Sequence, residues 1–387
     1  MKGPGGLMVV PPSGPLAFVG GSGATAGNFK AVFSEFAGAG FTHSWAVFDN
    51  PRHGRLLLDG AQAAGIRLMA RPGASKWPIE EVARRFKNHP ALAGFMLQDE
   101  PSAAEFPALA GTAWSLLAED SSKTVLVNLY PDGATNEQLG IKPHQEYRDY
   151  LYKFLSEVPV NLLSYDCYPI KRFGVLPGWY GNLEVIRQAA QSAKLPLWVW
   201  IASVGMDLTP DPTMGSFRLQ AYTNLAYGAT GIEHFCYHTH KGLGMRMGCI
   251  ERDGSRTLTY DLVKQLHREL GAQAGVFVGS TLRRVGYAGS SVPKSTRPYE
   301  PLEPITALKA GGKGAVVAEF SKDTYRFLVI VNQDYLEPMP LAVRWKPPTV
   351  LGSVQKDGGV TILARPGLEA NVDPGDAVIL AWRAETE

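Results

Sequence analysis

The sequence is poor in cysteine, balanced in charge and free of long apolar runs, and each shortage excludes a class of protein. Only three cysteines, Cys167, Cys236 and Cys249, occur in 387 residues. So small and odd a number makes no disulfide framework, and no Cys-x-x-Cys or Cys/His spacing suggests zinc. Cys167 and Cys236 fall in strand-like segments and read as buried free thiols. Thirty-eight basic side chains face 36 acidic ones, a net charge of +2. That leaves no basic field for nucleic acid or an anionic membrane, so neither is expected as a partner. No apolar run approaches the roughly 20 residues of a membrane-spanning helix. The opening MKGPGGLMVVPPSGP has no apolar core of the signal-peptide kind. A G-x-G-x-x-G fingerprint is missing from the first connections, which argues against a dinucleotide-binding sheet.

What is present is a soluble globular composition, 45% hydrophobic and 19% charged, with 42 glycines and 28 prolines for tight connections. The length exceeds one ordinary core and suits a large barrel with a small partner domain. Strand-like and helix-like segments alternate from Leu16 onward. LAFVGG precedes NFKAVFSEFAGAG, in which Phe29, Val32, Phe33 and Phe36 share one helical face. THSWAVF precedes a helix over Arg52–Ala64. IRLMARPG precedes PIEEVARRFKNH, with Pro78 at a helix start. LAGFMLQ leads to a helix opening at PSAAE, with Ser102 expected as its N-cap. KTVLVNLYP leads to HQEYRDYLYKFLSEV, VNLLSYDCYP to a helix near Leu183–Ala193, LPLWVWIAS to SFRLQAYTNLAYG, and GIEHFCY to TYDLVKQLHRELGAQAG.

Eight such cycles imply parallel βαβ units with right-handed crossovers, and they fit a closed (β/α)8 TIM barrel better than an open sheet. After about Gly279 the texture changes. GAVVAEFS, YRFLVIVNQ, LAVRWKP, VTILARP and DAVILAWR are short β-type runs separated by turn residues. The expected organisation is therefore α/β, a barrel over residues 1–278 followed by a small all-β sandwich over 279–387.

Active sites of such barrels collect at the C-terminal ends of the strands. Read there in order, the strands present Gly20 and Ser22; Trp45 and Asp49; Arg71; Gln98, Asp99 and Glu100; Asn128 and Tyr130; Asp166 and Tyr168; Trp200 and Ser203; and Tyr237, His238 and His240. Aromatics, carboxylates, an amide and an arginine form the lining of a sugar site, because ring faces stack on pyranoses while acids and amides bond hydroxyls. Asp99, Trp45, Asp49, Arg71, Asn128, Tyr130, Tyr168, Trp200, Tyr237 and His238 are the expected substrate contacts.

The strand-four ending LQDEP resembles the acid/base strand of clan A glycoside hydrolases, whose members usually carry Asn-Glu there, often followed by Pro. Asp99 takes the Asn position, as in barrel proteins of a "DEP" type. The segments NLYP, YDCYP and AYGATGIEHFCY are similar to the same set. The resemblance spans most of the barrel and implies a glycosidase with Glu100 as general acid/base. Physically, a carboxyl beside Asp99 at a half-buried strand end has its pKa raised toward the range of a proton donor.

That clan also places a glutamate nucleophile at the end of strand seven, where LPLWVWIASVG offers no acid before Asp207. Asp166, ending strand six, is the expected catalytic partner. Two other acids stay open for that role: Glu233, only two residues into strand eight and otherwise expected in a buried ion pair, and Asp207, otherwise a solvated loop acid. His43 and His234 are expected as barrel-wall residues, and Trp198 with Trp200 as core. Trp179 and Tyr180 of PGWYGN are expected on an exposed sugar platform. The loops Lys171–Asn182 and Thr239–Thr257 would shape the pocket. His238 and His240 form an H-x-H pair without further spaced ligands, so neither metal nor cofactor is expected. A carbohydrate is the expected partner. Two other readings stay open: a sugar-binding barrel without turnover, and a metal-dependent barrel hydrolase. Export to the periplasm or beyond is expected from the resemblance to polysaccharide-degrading barrels.

Overall fold

The computed structural model describes residues 16–21, 29–73 and 77–384. Ser22 and the N-terminal stretch considered above lie outside these residues. The chain forms two compact units, one holding Ala17–Asp211 and Gly231–Lys264, the other Pro212–Thr230 and the residues from Gln265 onward.

Eight parallel strands close into a barrel: β1 (Ala17–Gly21), β2 (His43–Val47), β3 (Arg67–Arg71), β4 (Leu92–Asp99), β5 (Thr124–Leu129), β6 (Leu163–Asp166), β7 (Leu197–Ala202) and β8 (Ala229–Phe235). They neighbour one another in chain order, with β1 closing on β8 through Ala17↔Gly231 to Gly20↔His234. The fold is thus a (β/α)8 barrel followed by antiparallel all-β sheets.

Alternation along the strands sorts the side chains. Val19, Trp45, Met69, Met96, Leu126, Leu162 and Trp198 meet inside as one buried cluster, which makes the barrel a packed core, not a pore. Trp198 needs space from its neighbour: a Cβ on Gly231 would lie 2.4 Å from its Cδ1, so the next strand can carry only glycine there. His43 stands edge-on to Trp198, and burial lowers its pKa to about 4, so it is a neutral wall residue.

Helix boundaries follow their caps. Pro51–Ala63 starts behind Asn50, whose side chain accepts the His53 N–H at 3.0 Å. The helix after β4 departs from expectation. Ser102 heads a turn whose N–H donates to Glu105 at 2.8 Å, and the helix runs only over Phe106–Glu119. A one-turn helix, Asn136–Leu139, was not read from the sequence; Thr135 and Gln138 form its capping box and Gly140 ends it at φ 65°. The helix Trp179–Ala193 begins earlier than the periodicity predicts. This corrects the exposed platform: Trp179 and Tyr180 are 1% and 7% exposed, packed on each other in the first helical turn.

In the second unit, one antiparallel sheet orders Thr281–Ala288, Ala315–Lys322, Tyr325–Asn332, Ala377–Arg383, Gly352–Val354 and Val360–Ile362. The other orders Ile305–Ala310, Met339–Trp345 and Gly367–Val372. Val317, Leu328, Ile330 and Leu380 of the first sheet share a core with Met339, Leu341, Val343 and Trp345 of the second, every second residue of each strand pointing inward. Val316, Val329 and Val331 on the opposite face are buried too, and helix Met214–Ala226 packs on those strands, which explains why FLVIV reads as a continuous apolar run. The helix is pinned by charge: Arg218 holds Glu269 at 2.8 Å and Asp376 at 3.1 Å, and Lys356 pairs with Asp376. Among the described residues, no helix is long and apolar enough to cross a membrane.

Candidate active site

Above the apolar barrel layer the interior turns polar. Ser164 of β6 donates from one hydroxyl toward Asn128 Oδ1 of β5 and Glu233 Oε1 of β8, each at 3.0 Å. Glu233 is fully buried, and burial raises its pKa well above the carboxylate range. No cation pairs with it among the described residues, which corrects the expected ion pair. Burial outweighs the one hydrogen bond from Ser164, so the neutral form of this acid is favoured in the barrel wall.

One turn higher, Asn128 organises the rim. Its side-chain amide donates to Asp99 Oδ1 at 2.9 Å, and its carbonyl accepts the Glu100 N–H at 2.8 Å. The β4–β5 register slips between Met96 and Asp99, so that Asp99 pairs Asn128. Immediately after this irregularity Glu100 takes φ 48°, a left-handed backbone uncommon for a side-chain-bearing residue, costing about 1 kcal/mol or more. Two tyrosines of helix Tyr147–Glu157 fasten the same edge: Tyr150 donates to the Pro101 carbonyl at 2.8 Å and Tyr147 to that of Tyr130 at 2.6 Å. The strained residue is thus held by Asn128 directly and by Tyr150 through the next residue, Pro101.

Glu100 and Asp166 line the same cavity, near enough for each to shift the other's proton affinity. Burial, then the charges of Asp166 and Asp99, push the Glu100 pKa up to about 8. Burial and the Asp99 charge raise Asp166 to about 6, against the lowering effect of hydrogen bonds from Tyr168, Glu100 and Asn128. Asp166 Oδ1 is buried and accepts no hydrogen bond among the described residues, which favours the protonated form of the acid.

These groups open on a cavity of about 550 Å³. Six expected residues line it: Asp99, Glu100, Asn128, Asp166, Tyr168 and Trp200. Tyr168 stacks on Phe235 at 5.3 Å, and Trp200 lies parallel to Trp45 at 6.0 Å. The remaining lining comes from loops: Lys171 after β6; Met206, Asp207, Leu208 and Thr209 after β7; Phe235 at the end of β8; and Leu243 beyond it. Leu208 and Leu243 are exposed, an apolar surface beside the carboxylates. Asp207 is exposed, the solvated loop acid expected, and also borders the cavity, with its N–H donating to the Leu243 carbonyl at 3.0 Å.

Other expected contacts lie elsewhere. Trp45 is buried in the core behind Trp200. Asp49 is exposed and paired with His53 at 3.1 Å. Arg71 ends β3 in register with Val47, and Tyr130 follows β5 with its phenol pKa raised by burial and the Glu100 charge. Tyr237 is buried edge-on to Phe36 and Phe41, and His238 sits against it and His240. These positions do not border the cavity among the described residues. Trp198 is core as expected, whereas Trp200, two residues on, reaches the cavity. All three thiols are free, and burial raises their pKa values, that of Cys236 to about 12. No cluster able to hold a metal ion occurs among the described residues. A larger groove, about 860 Å³, lies in the sandwich unit, but its carboxylates Glu303 and Glu319 are already paired with Lys346 and Arg284.

No protein-family model and no curated protein matches the chain. Solved structures do match in fold. A protein described as a glycoside hydrolase aligns with a TM-score of 0.62 and 11% identity over 96% of this chain and 93% of its own. A glycoside hydrolase family 5 protein from Bacteroides vulgatus gives 0.59 and 9%, over 95% and 89%. The beta-galactosidase from the psychrophilic Marinomonas ef1 gives 0.57 and 8%, over 96% and 100%. At such identities the similarity is one of fold, and the fold is one that these glycoside hydrolases share.

Proposed function

We propose that the protein is a glycoside hydrolase that cleaves an O-glycosidic bond with Glu100 as general acid/base and Asp166 as its partner carboxylate. The observation that carries this reading is the convergence of Glu100 and Asp166 at the C-terminal rim, in one cavity, with their pKa values pushed apart. Between about pH 6 and 8 Glu100 keeps its proton while Asp166 is ionised, the division of labour that glycosidic cleavage needs. Glu100 protonates the leaving oxygen, and Asp166 acts as the ionised partner carboxylate on the same rim. Asp99, fixed by Asn128, accepts from a substrate hydroxyl, and Trp200 with Tyr168 offers ring faces to the sugar. The "DEP" ending of β4 supports the same assignment by its resemblance to the clan A acid/base strand.

One observation favours a second reading, a sugar-binding barrel without turnover. The end of β7, LWVWIA, presents Trp200 and no acid where a second carboxylate would be needed. A panel of aryl glycosides and polysaccharides, offered to wild type and Glu100→Gln, decides. Cleavage by wild type that falls about 10²-fold or more in Glu100→Gln supports the enzyme. Equal cleavage by both rejects Glu100 as catalyst, and sugar binding with no cleavage supports the second reading.

A further inference from the structure

Lys171 is the one ammonium or guanidinium that lines the cavity among the described residues. A two-residue β-bridge ladder positions it: Ile170, buried, pairs Val175, and Lys171 pairs Gly174. The hairpin is tied to the loop after β7 by the Arg172 N–H, which donates to the Leu208 carbonyl at 2.9 Å. Lys171 therefore lines the same cavity as Leu208 and Asp207.

Four carboxylates, Asp99, Glu100, Asp166 and Asp207, border that space, yet none forms an ion pair with Lys171, and its Nζ has no hydrogen-bond partner among the described residues. Simple charge balance would bring one of them to it, as Lys356 is brought to Asp376 in the other unit. Half-buried, Lys171 has its pKa lowered by desolvation, and the neighbouring Cys167 thiol, whose own pKa is raised by burial, brings no charge to offset this. A partly desolvated cation facing a cavity calls for an anion from outside the chain.

We propose that the cavity takes a sugar bearing an anionic substituent, a ring carboxylate or a sulfate ester, with the Lys171 ammonium as its partner. The inference rests on reading the cavity as a sugar site and names the substrate class within it. The carboxylates then meet the hydroxyls and the scissile oxygen, Leu208, Leu243 and Trp200 meet the apolar ring faces, and Lys171 meets the charge. Neutral sugars lack that last contact.

The test is equilibrium binding to the full chain of two matched series: glucose, glucuronate and glucose 6-sulfate, and their galactose counterparts. In at least one series an anionic sugar is expected to bind on the order of tenfold or more tighter than its neutral parent, the range of a hydrogen bond between charged groups. Lys171→Gln should bring that ratio close to one, and Lys171→Arg should keep most of it. Preference for the uronate assigns a ring carboxylate, and preference for the 6-sulfate assigns a sulfate ester. Neutral sugars binding as tightly as anionic ones, a ratio that survives Lys171→Gln, or no binding in either series would each overturn the inference. Turnover of aryl glycosides, measured in parallel, separates the two claims. Turnover of neutral glycosides without a charge preference leaves the hydrolase and removes the inference; Lys171-dependent binding without turnover does the reverse.

Discussion

The main-chain N–H of Glu100 donates to the carbonyl of Asn128 at 2.8 Å, across the irregular end of the β4–β5 pairing. The same asparagine holds Asp99 through its side chain. Asn128 thus fixes both members of the acidic pair, one by backbone and one by side chain, and only the second link is open to mutation. Asn128→Ala should leave Glu100 in place, free Asp99 and leave the Ser164 hydroxyl with Glu233 alone. We expect a loss of about 1–3 kcal/mol in stability and a fall of at least tenfold in kcat. Urea unfolding and steady-state kinetics check the two parts.

Activity should follow a bell in pH, rising as Asp166 ionises near 6 and falling as Glu100 loses its proton near 8. Asp166→Asn removes the nearest charge that raises Glu100. Residual activity in that variant should lose its basic limb at lower pH than wild type does. A pH–rate profile of both proteins, in which the limb stays put, would contradict the coupling.

Glu100 also links stability to pH. Its folded pKa lies above its ordinary value of 4.5, so the native state binds more protons than the unfolded one between about 4.5 and 8. Its contribution is fully present below that window and is lost as pH rises through it. Wild type should therefore lose Tm across the window more steeply than Glu100→Gln, which has no proton to lose there. Thermal scans in matched buffers measure the difference in slope.

Glu233 is neutral in the barrel wall and needs shape and a hydrogen bond, not charge. Glu233→Gln should lie within about 1 kcal/mol of wild type, while Ser164→Ala should cost about 1–3 kcal/mol by removing the donor to Glu233 and Asn128. Denaturant midpoints of the two variants compare them directly.

In the other unit Arg218 satisfies Glu269 and Asp376 together. Arg218→Ala leaves these buried carboxylates with Lys356 as their remaining cation, and we expect a loss of about 3–5 kcal/mol. Calorimetry would contradict this if the variant melted with wild type.

How far the sequence could be read depended on distance along the chain. Each barrel strand is an apolar run followed at once by a helical period, so the eight cycles were legible from local pattern. Asp99, Glu100 and Asp166 were legible because an acid ending such a run has few structural uses. Lys171 and Leu243 lie in the two loops expected to shape the pocket, whereas Met206, Leu208 and Thr209 were not legible, because their place depends on the loop after β7 folding onto the rim. Trp179 and Tyr180 misled because PGWYGN looks like a turn, whereas Gly178 is the N-cap of a helix whose first turn faces inward. Tyr237 misled by its neighbours: it follows Phe235 by two residues, but the strand has ended, and its ring turns into the Phe36–Phe41 cluster.

The central claim is that Glu100 delivers a proton to the leaving oxygen, and leaving-group dependence tests it most directly. Wild type and Glu100→Gln would be compared on a poor leaving group, an alkyl glycoside, and on a glycosyl fluoride of the same sugar, which departs with little protonation. With Glu100 as proton donor, the loss should be about 10²–10⁴-fold on the alkyl glycoside and far smaller on the fluoride. Equal losses on both substrates, or none on either, would contradict it.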